Sequence, residues 1–262
     1  MVTEPLDGQP SPVRGNSTGS AGGSEGSGYR CHRMRFASVL GSIVVLAGAS
    51  VSAAVSANAQ RALVLDQRAV AHAEPAPDAR RLAVVAAVRP LTGSATVLPI
   101  VGRRLGSDGA SWVRVRLPAR PNRSTGWVRE AAGHESVSRW SIVVDRSDRQ
   151  ASVLQDGRLR VRFPVVVGAR ETPSPLGTFF VTEKLRLGAG VQQGPWALAT
   201  SAYSDVLGEF AGGPGQIALH GRVGLPEPLG SAASHGCIRF ANAAISWLAE
   251  RVGAGAQIII RR

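Results

Sequence analysis

Short apolar runs separated by turn signals occupy the middle of this chain: LAVVAAV, ATVLPIV, SWVRVRL and GWV between Leu82 and Val128. Within Trp112–Leu117 apolar and polar positions alternate, the period of a strand with one buried face, and PARPNRSTGWV reads as a loop leading into a last short strand. This stretch predicts a small β-barrel over residues 81–132. From residue 138 the strand signals strengthen. WSIVVDR is expected to pair with RLRVRFPVVVG across a turn at Asp156-Gly157, GTFFVTEKLRL is a further alternating run, and WALATSAY and GQIALH follow. The period changes once, in NAAISWLAERV. There Ile245, Leu248, Ala249 and Val252 recur at helical spacing, and Asn242 is placed to cap the helix. AQIII closes the chain as a strand. The expected fold class is mainly β, with one helix near the C-terminus.

Upstream the pattern differs. Residues 1–29 are small, polar and Gly/Ser-rich, with almost nothing to bury, and residues 1–35 read as a disordered tail. Arg30, Arg33 and Arg35 then precede an uncharged run from Phe36 to Gln60, most apolar in VLGSIVVLAGA. Basic residues before an apolar run form an export signal, with the basic end left in the cytoplasm. The run is long enough for a membrane helix, which needs about 20 residues. Five serines dilute it, however, and Ala57-Asn58-Ala59 has the small-x-small form of a signal-peptidase site. A single-pass anchor over 36–59 and a cleaved signal therefore both remain open, and either places the rest of the chain outside the cytoplasm. Residues 60–80, rich in Ala, Pro and charge, read as a linker.

Charge narrows the function classes. The 262 residues carry a net charge of +12, densest over residues 78–133, where ten basic residues face three acidic ones. No Lys/Arg-rich tract of the kind that wraps DNA is present, and the export segment argues against a nucleic-acid partner. The basic surface suits a polyanion of any kind. Two cysteines exclude a disulfide scaffold and a Cys-rich metal protein. Cys31 and Cys237 lie on opposite sides of the export segment and are not expected to pair.

The candidate chemistry lies in IALHGRVGLPEPLGSAASHGCIRF, residues 217–240. A polar Ser-His-Gly turn is an odd setting for a core cysteine, and His220 ends an apolar strand just before Gly221. Cysteine catalysis needs a thiolate, an imidazole to take and return its proton, and donors aimed at the oxyanion of the tetrahedral intermediate. His220, Cys237 and the amides around Gly236-Cys237 are the candidates, with the Cys237 sulfur held ionised by the His220 imidazole. Too few acidic, Cys or His side chains stand near for a zinc site.

A strand ending in His-Gly, a variable loop and then Ser-His-Gly-Cys-Ile-Arg resembles the catalytic domain of L,D-transpeptidases, the YkuD-like family. FPVVVGARETPSPLGTFFV is similar to that family's Gly…Thr-Pro-x-Pro-x-Gly-x-Phe segment. The likeness covers residues 138–262. The strand at Trp112 and Gly126-Trp127-Val128 resemble a bacterial SH3-like domain. The resemblance implies an L,D-transpeptidase-type β-sandwich in which Cys237 is the nucleophile and His220 the general base. The Gly221 carbonyl would orient the His220 ring, Ser234, His235 and Gly236 would shape the oxyanion and substrate site, Arg239 would have a structural or substrate-positioning role, and Tyr203 would line the cleft. Arg222 stands where the family often has a small residue, and GLPEPLG reads as a semi-rigid flap. The implied reaction is acyl transfer from a peptidoglycan tetrapeptide stem, releasing D-Ala, to the side-chain amine of a second stem. Water as acceptor would make a carboxypeptidase. Carbapenems are implied inhibitors, and no metal or organic cofactor is called for. An NlpC/P60-like peptidase would place its cysteine before its histidines, the reverse of the order here. A non-catalytic protein that binds anionic cell-wall polymer through residues 78–133 is the alternative of another class.

Overall fold

The computed structural model describes residues 59–210 and 212–262. The expected tail and nearly all of the export segment lie outside the described residues, among which no helix is long and apolar enough to cross a membrane. Seven strands build the N-terminal part: β1 Gln60–Leu65, β2 Ala69–His72, β3 Arg81–Val85, β4 Val97–Leu105, β5 Ser111–Arg116, β6 Thr125–Arg129 and β7 Gly133–Ser138. They form one sheet in the order β3-β2-β6-β5-β4-β1-β7. Alternation on β5 buries Val113 and Val115 in a core with Leu63, Leu98 and Val128. Trp112, on the opposite face of β5, is also buried, beneath the edge of His72 and the guanidinium of Arg129.

The linker expected over residues 60–80 is corrected here. Its first half is β1 and β2, and β1 lies between β4 and β7. The signal was missed because alanines fill the tight positions: Ala62, Ala69 and Ala71 are buried beside Leu63 and Leu65. Alanine is depleted in strands on average, but it fits where a neighbouring backbone leaves room for one methyl.

The C-terminal part comprises β8 Trp140–Asp145, β9 Gln150–Gln155, β10 Arg158–Pro164, β11 Val167–Gly168, β12 Gly177–Arg186, β13 Trp196–Tyr203, β14 Gln216–His220, β15 Ala232–Ser234, β16 Ile238–Arg239, helix α1 Asn242–Arg251 and β17 Gln257–Arg261. Eight strands run in the order β10-β9-β8-β17-β12-β13-β14-β16, and β11 pairs separately with β15. The closing strand thus enters the middle of the sheet, parallel to β8 and antiparallel to β12. Helix α1 buries Ile245, Leu248 and Ala249 in a core shared with Phe179, Leu198, Leu219 and Ile258.

Two further expectations change. WSIVVDR pairs with β9 rather than with β10, and the turn at Asp156-Gly157 joins β9 to β10. Both turn residues have positive φ, +52° and +76°, the form that fits the twist of a two-residue hairpin. QASVLQ escaped notice because its fully buried side chains are only Ala151 and Val153. Asn242 does not cap α1. Ala241 occupies the cap without a side-chain bond, and Asn242 Oδ1 instead accepts the Arg222 N–H at 2.7 Å.

β12 ties the two parts together. Phe179 and Val181 point into the C-terminal core, while Phe180 joins the N-terminal core. This two-sided burial makes FFVTE a continuous buried run and not the alternating one expected from the sequence. Buried Glu183, next along, accepts a hydrogen bond from Thr92 Oγ1 at 2.9 Å and pairs with Arg89 at 3.5 Å.

Candidate active site

The parallel pairing of β14 with β16 sets Leu219 opposite Ile238 and His220 opposite Arg239. Side chains alternate across a strand. Ile217 and Leu219 therefore face the core with Ile238 and Phe240, leaving Ala218, His220, Cys237 and Arg239 to the other face. All four line one cleft of about 460 Å³. The Cys237 sulfur accepts the Ala218 N–H at 3.4 Å, and the methyl of Ala218 leaves the space beside it open.

His220 is buried, and its Nδ1 lies 2.6 Å from the Gly221 carbonyl. A carbonyl only accepts, so Nδ1 carries the proton and Nε2 is the basic nitrogen. Burial pushes the His220 pKa down to about 4. The Gly221 carbonyl opposes that shift and the positive Arg239 adds to it. Burial also raises the Cys237 thiol, against the Ala218 N–H and Arg239. The resting pair is therefore a neutral thiol beside a neutral imidazole, not the thiolate expected from the sequence. Desolvation penalises both charges before a substrate arrives.

The backbone around the pair is tightly fixed. Gly221 N–H points to the Gln193 and Trp196 carbonyls at 3.0 and 3.2 Å, and a Cβ there would collide with the Gly194 carbonyl oxygen. Gly236 has φ +117°, and a Cβ there would come within 2.8 Å of Ile217 Cδ1. Ser234 Oγ donates to the Cys237 carbonyl at 2.6 Å and accepts the Gly236 N–H at 3.1 Å. That bond corrects one expectation: the Gly236 amide is occupied. The His235 and Cys237 N–H groups donate to no protein acceptor among the described residues and are the free donors of this turn. The Thr-Pro-Ser-Pro segment braces the same turn from behind. Ser174 Oγ donates to the Gly236 carbonyl at 2.7 Å and accepts the Gly168 N–H at 2.9 Å, while Thr172 Oγ1 donates to the Ser234 carbonyl at 3.1 Å.

The structure gathers every residue singled out in 217–240 but not Tyr203. That side chain donates its hydroxyl to the Pro118 carbonyl at 3.2 Å and lies under the Arg120 guanidinium, 5.1 Å from the ring centre. It packs against the N-terminal part and does not line the cleft. Arg239 is nearly buried and pairs with Glu227 at 2.7 Å. Arg239 in turn holds the Glu227 carboxyl below the usual carboxylate range. Glu227 was not expected in the site. Its only signal was an acid between the prolines of an otherwise apolar GLPEPLG. Arg222 braces that loop by donating to the Leu225 carbonyl at 2.6 Å. Phe210, also unforeseen, stacks on exposed His235 with ring centres 4.8 Å apart. Among the described residues no three His, Cys, Asp or Glu side chains converge as a metal site.

Residues 139–260 match the YkuD family model, the L,D-transpeptidase catalytic domain. No curated protein shows significant similarity to the chain. Among solved structures it is similar to L,D-transpeptidase 3 from Mycobacterium tuberculosis with a faropenem-derived adduct, at 19% identity over 76% of this chain and 97% of that one, TM-score 0.42. It is also similar to the L,D-transpeptidase LdtMt1 in complex with imipenem, at 18% identity over 58% and 68%, TM-score 0.39. A third likeness is to Bd1075 of Bdellovibrio bacteriovorus, at 28% identity over 47% of this chain and 48% of that one, TM-score 0.37.

Proposed function

With an L,D-transpeptidase catalytic domain at residues 139–260 as the premise, we propose that this protein is an exported cysteine acyltransferase that cross-links peptidoglycan. The observation that carries this reading is the shared cleft face of Cys237 and His220, with the Gly221 carbonyl selecting Nε2 as the base. Substrate binding brings the carbonyl between the third residue of a tetrapeptide stem and its terminal D-Ala to the sulfur. His220 Nε2 takes the thiol proton as the S–C bond forms. The His235 and Cys237 amides face the oxygen that becomes negative. As the tetrahedral intermediate collapses, the C–N bond breaks, His220 returns the proton to the amine, and D-Ala leaves. The side-chain amine of a second stem then attacks the thioester, loses a proton to His220, and frees Cys237 as the thiol. Carbapenems acylate the same sulfur by opening their β-lactam ring.

Mass spectrometry of the products from a purified disaccharide-tetrapeptide tests the reaction. The expected products are free D-Ala and a dimer linked between third residues. A tripeptide with no dimer, even when an amine acceptor is added, would reassign the enzyme as an L,D-carboxypeptidase. A peptide cut elsewhere would overturn the reading.

A second observation supports wall attachment. The N-terminal sheet, whose Trp112 and Gly126-Trp127-Val128 strands carry the SH3-like resemblance, holds a cavity of about 300 Å³. Arg68, Arg81 and Arg129 line it together with the buried Trp112 and His72. Arg129 is paired with Asp108, whereas Arg68 and Arg81 form no ion pair among the described residues. Two unpaired guanidiniums lining one cavity suit an anionic saccharide. The Arg68→Ala/Arg81→Ala variant is expected to sediment with purified walls several-fold less than wild type at low salt. Equal sedimentation of the two proteins would remove this role.

A further inference from the structure

Through Arg120 and Asn122 the N-terminal part holds the loop that carries Phe210 to the active cleft. Beyond β13 the chain forms two limbs, Ser204–Phe210 and Gly212–Gly215, closed at the base by the Ser204 N–H donating to the Gly215 carbonyl at 2.8 Å. Phe210 and Gly213 exchange two backbone bonds at the far end, 2.8 and 3.0 Å. Arg120, in the loop before β6, spans both limbs. Its Nη1 donates to the Ser204 carbonyl at 2.9 Å, and its Nη2 donates to the Leu207 and Pro214 carbonyls at 2.9 and 3.1 Å. No carboxylate pairs with it among the described residues, so its charge-assisted bonds all serve this loop. Gly215, with φ +65°, lets the limbs approach, since a Cβ there would meet the Leu207 carbonyl and Arg120 Nη2. Asn122 completes the contact. Its amide accepts the Tyr203 N–H at 2.9 Å, and it donates to the Tyr203 carbonyl at 2.7 Å and to Asp205 at 2.8 Å, as a neighbouring strand would.

We infer that Arg120 is a positioning residue for the acyl-transfer site, acting through Phe210. It makes no contact with the reacting atoms. It fixes the loop that presents Phe210, and Phe210 both lines the cleft and stacks on His235, two residues before the nucleophile. Phe210 is 47% exposed although it packs on His235, so one face remains for substrate. This assignment rests on the proposed reaction, with Arg120 governing how well the stem is held and leaving the chemistry of Cys237 and His220 untouched.

The test is a mutant cycle in the full chain: Arg120→Ala, Phe210→Ala and the double variant, with D-Ala release and amide hydrogen exchange as readouts. Arg120→Ala is expected to speed exchange of the Leu207 and Gly213 amides at least about tenfold and to raise KM about fivefold, with kcat within about twofold. Phe210→Ala should raise KM equally, and the double variant should raise it no further, because one contact is lost in all three. Arg120→Lys should not restore KM, because one ammonium cannot span three carbonyls on two limbs. Additive KM effects, a fall in kcat with KM unchanged, or unaltered exchange would each overturn the inference. Should Arg120→Ala fail to fold, Asn122→Ala replaces it in the same cycle. If wild type releases no D-Ala, the proposed reaction fails, while the exchange data still decide whether Arg120 holds the loop.

Discussion

Cys237→Ala is expected to abolish covalent labelling by imipenem, with no added mass on the intact protein, and to lower D-Ala release by at least about 10⁴-fold. No other side chain in the cleft can replace the sulfur. Ser234, three residues earlier, is buried with its hydroxyl committed to the Cys237 carbonyl and the Gly236 N–H. Cys237→Ser should be nearly as inactive. Burial has pushed the His220 pKa down to about 4, leaving an imidazole too weak a base to activate an alcohol, whose proton is far harder to remove than that of a thiol. The fold should survive either change, because the sulfur accepts only one long hydrogen bond, from Ala218, and alanine leaves a small space on a face already open to the cleft. Thermal unfolding within a few degrees of wild type, together with lost labelling, would separate chemistry from folding. An imipenem adduct on Cys237→Ala would place the nucleophile elsewhere and end the cysteine mechanism.

The parts of the site legible in the sequence are those fixed by local geometry. His220 at a strand end and Cys237 after Ser-His-Gly could both be picked out locally, whereas the β14–β16 register that puts them on one face could not. The helix was legible for a similar reason: Ile245, Leu248 and Ala249 repeat at its period and are buried. What escaped notice depends on partners distant in sequence. Glu227 matters because Arg239 lies across from it, and Phe210 because His235 turns toward it. Tyr203, the last residue of WALATSAY, was assigned to the cleft through the family resemblance, yet its hydroxyl bonds Pro118, 85 residues earlier. β1 and β2 were hidden by alanines whose fit is set by neighbouring strands. The protonation state of the pair was equally out of reach, since it depends on burial, which a motif does not encode.

The pH dependence of His220→Gln distinguishes a catalytic base from a merely structural histidine. The variant should acylate about 10²–10⁴-fold more slowly at neutral pH, the range that a positioned base contributes. In wild type the base is active once the imidazole is neutral, so acylation by imipenem should be flat from about pH 5 to 8 and fall only near pH 4. Without the imidazole the rate depends on free thiolate. Burial raises the Cys237 thiol, so the variant's rate should climb about tenfold per pH unit across the same range. Stability carries a matching signature. A histidine whose pKa falls from 6.5 unfolded to about 4 folded favours the folded state fully above pH 6.5 and loses that contribution as pH drops through 4. The amount is about 3 kcal/mol. Urea unfolding at pH 7 and pH 4 should show the wild type losing about that much more than His220→Gln. Parallel pH–rate profiles for the two proteins would exclude His220 as the base, and equal losses in urea would mean that its imidazole is not held neutral by burial.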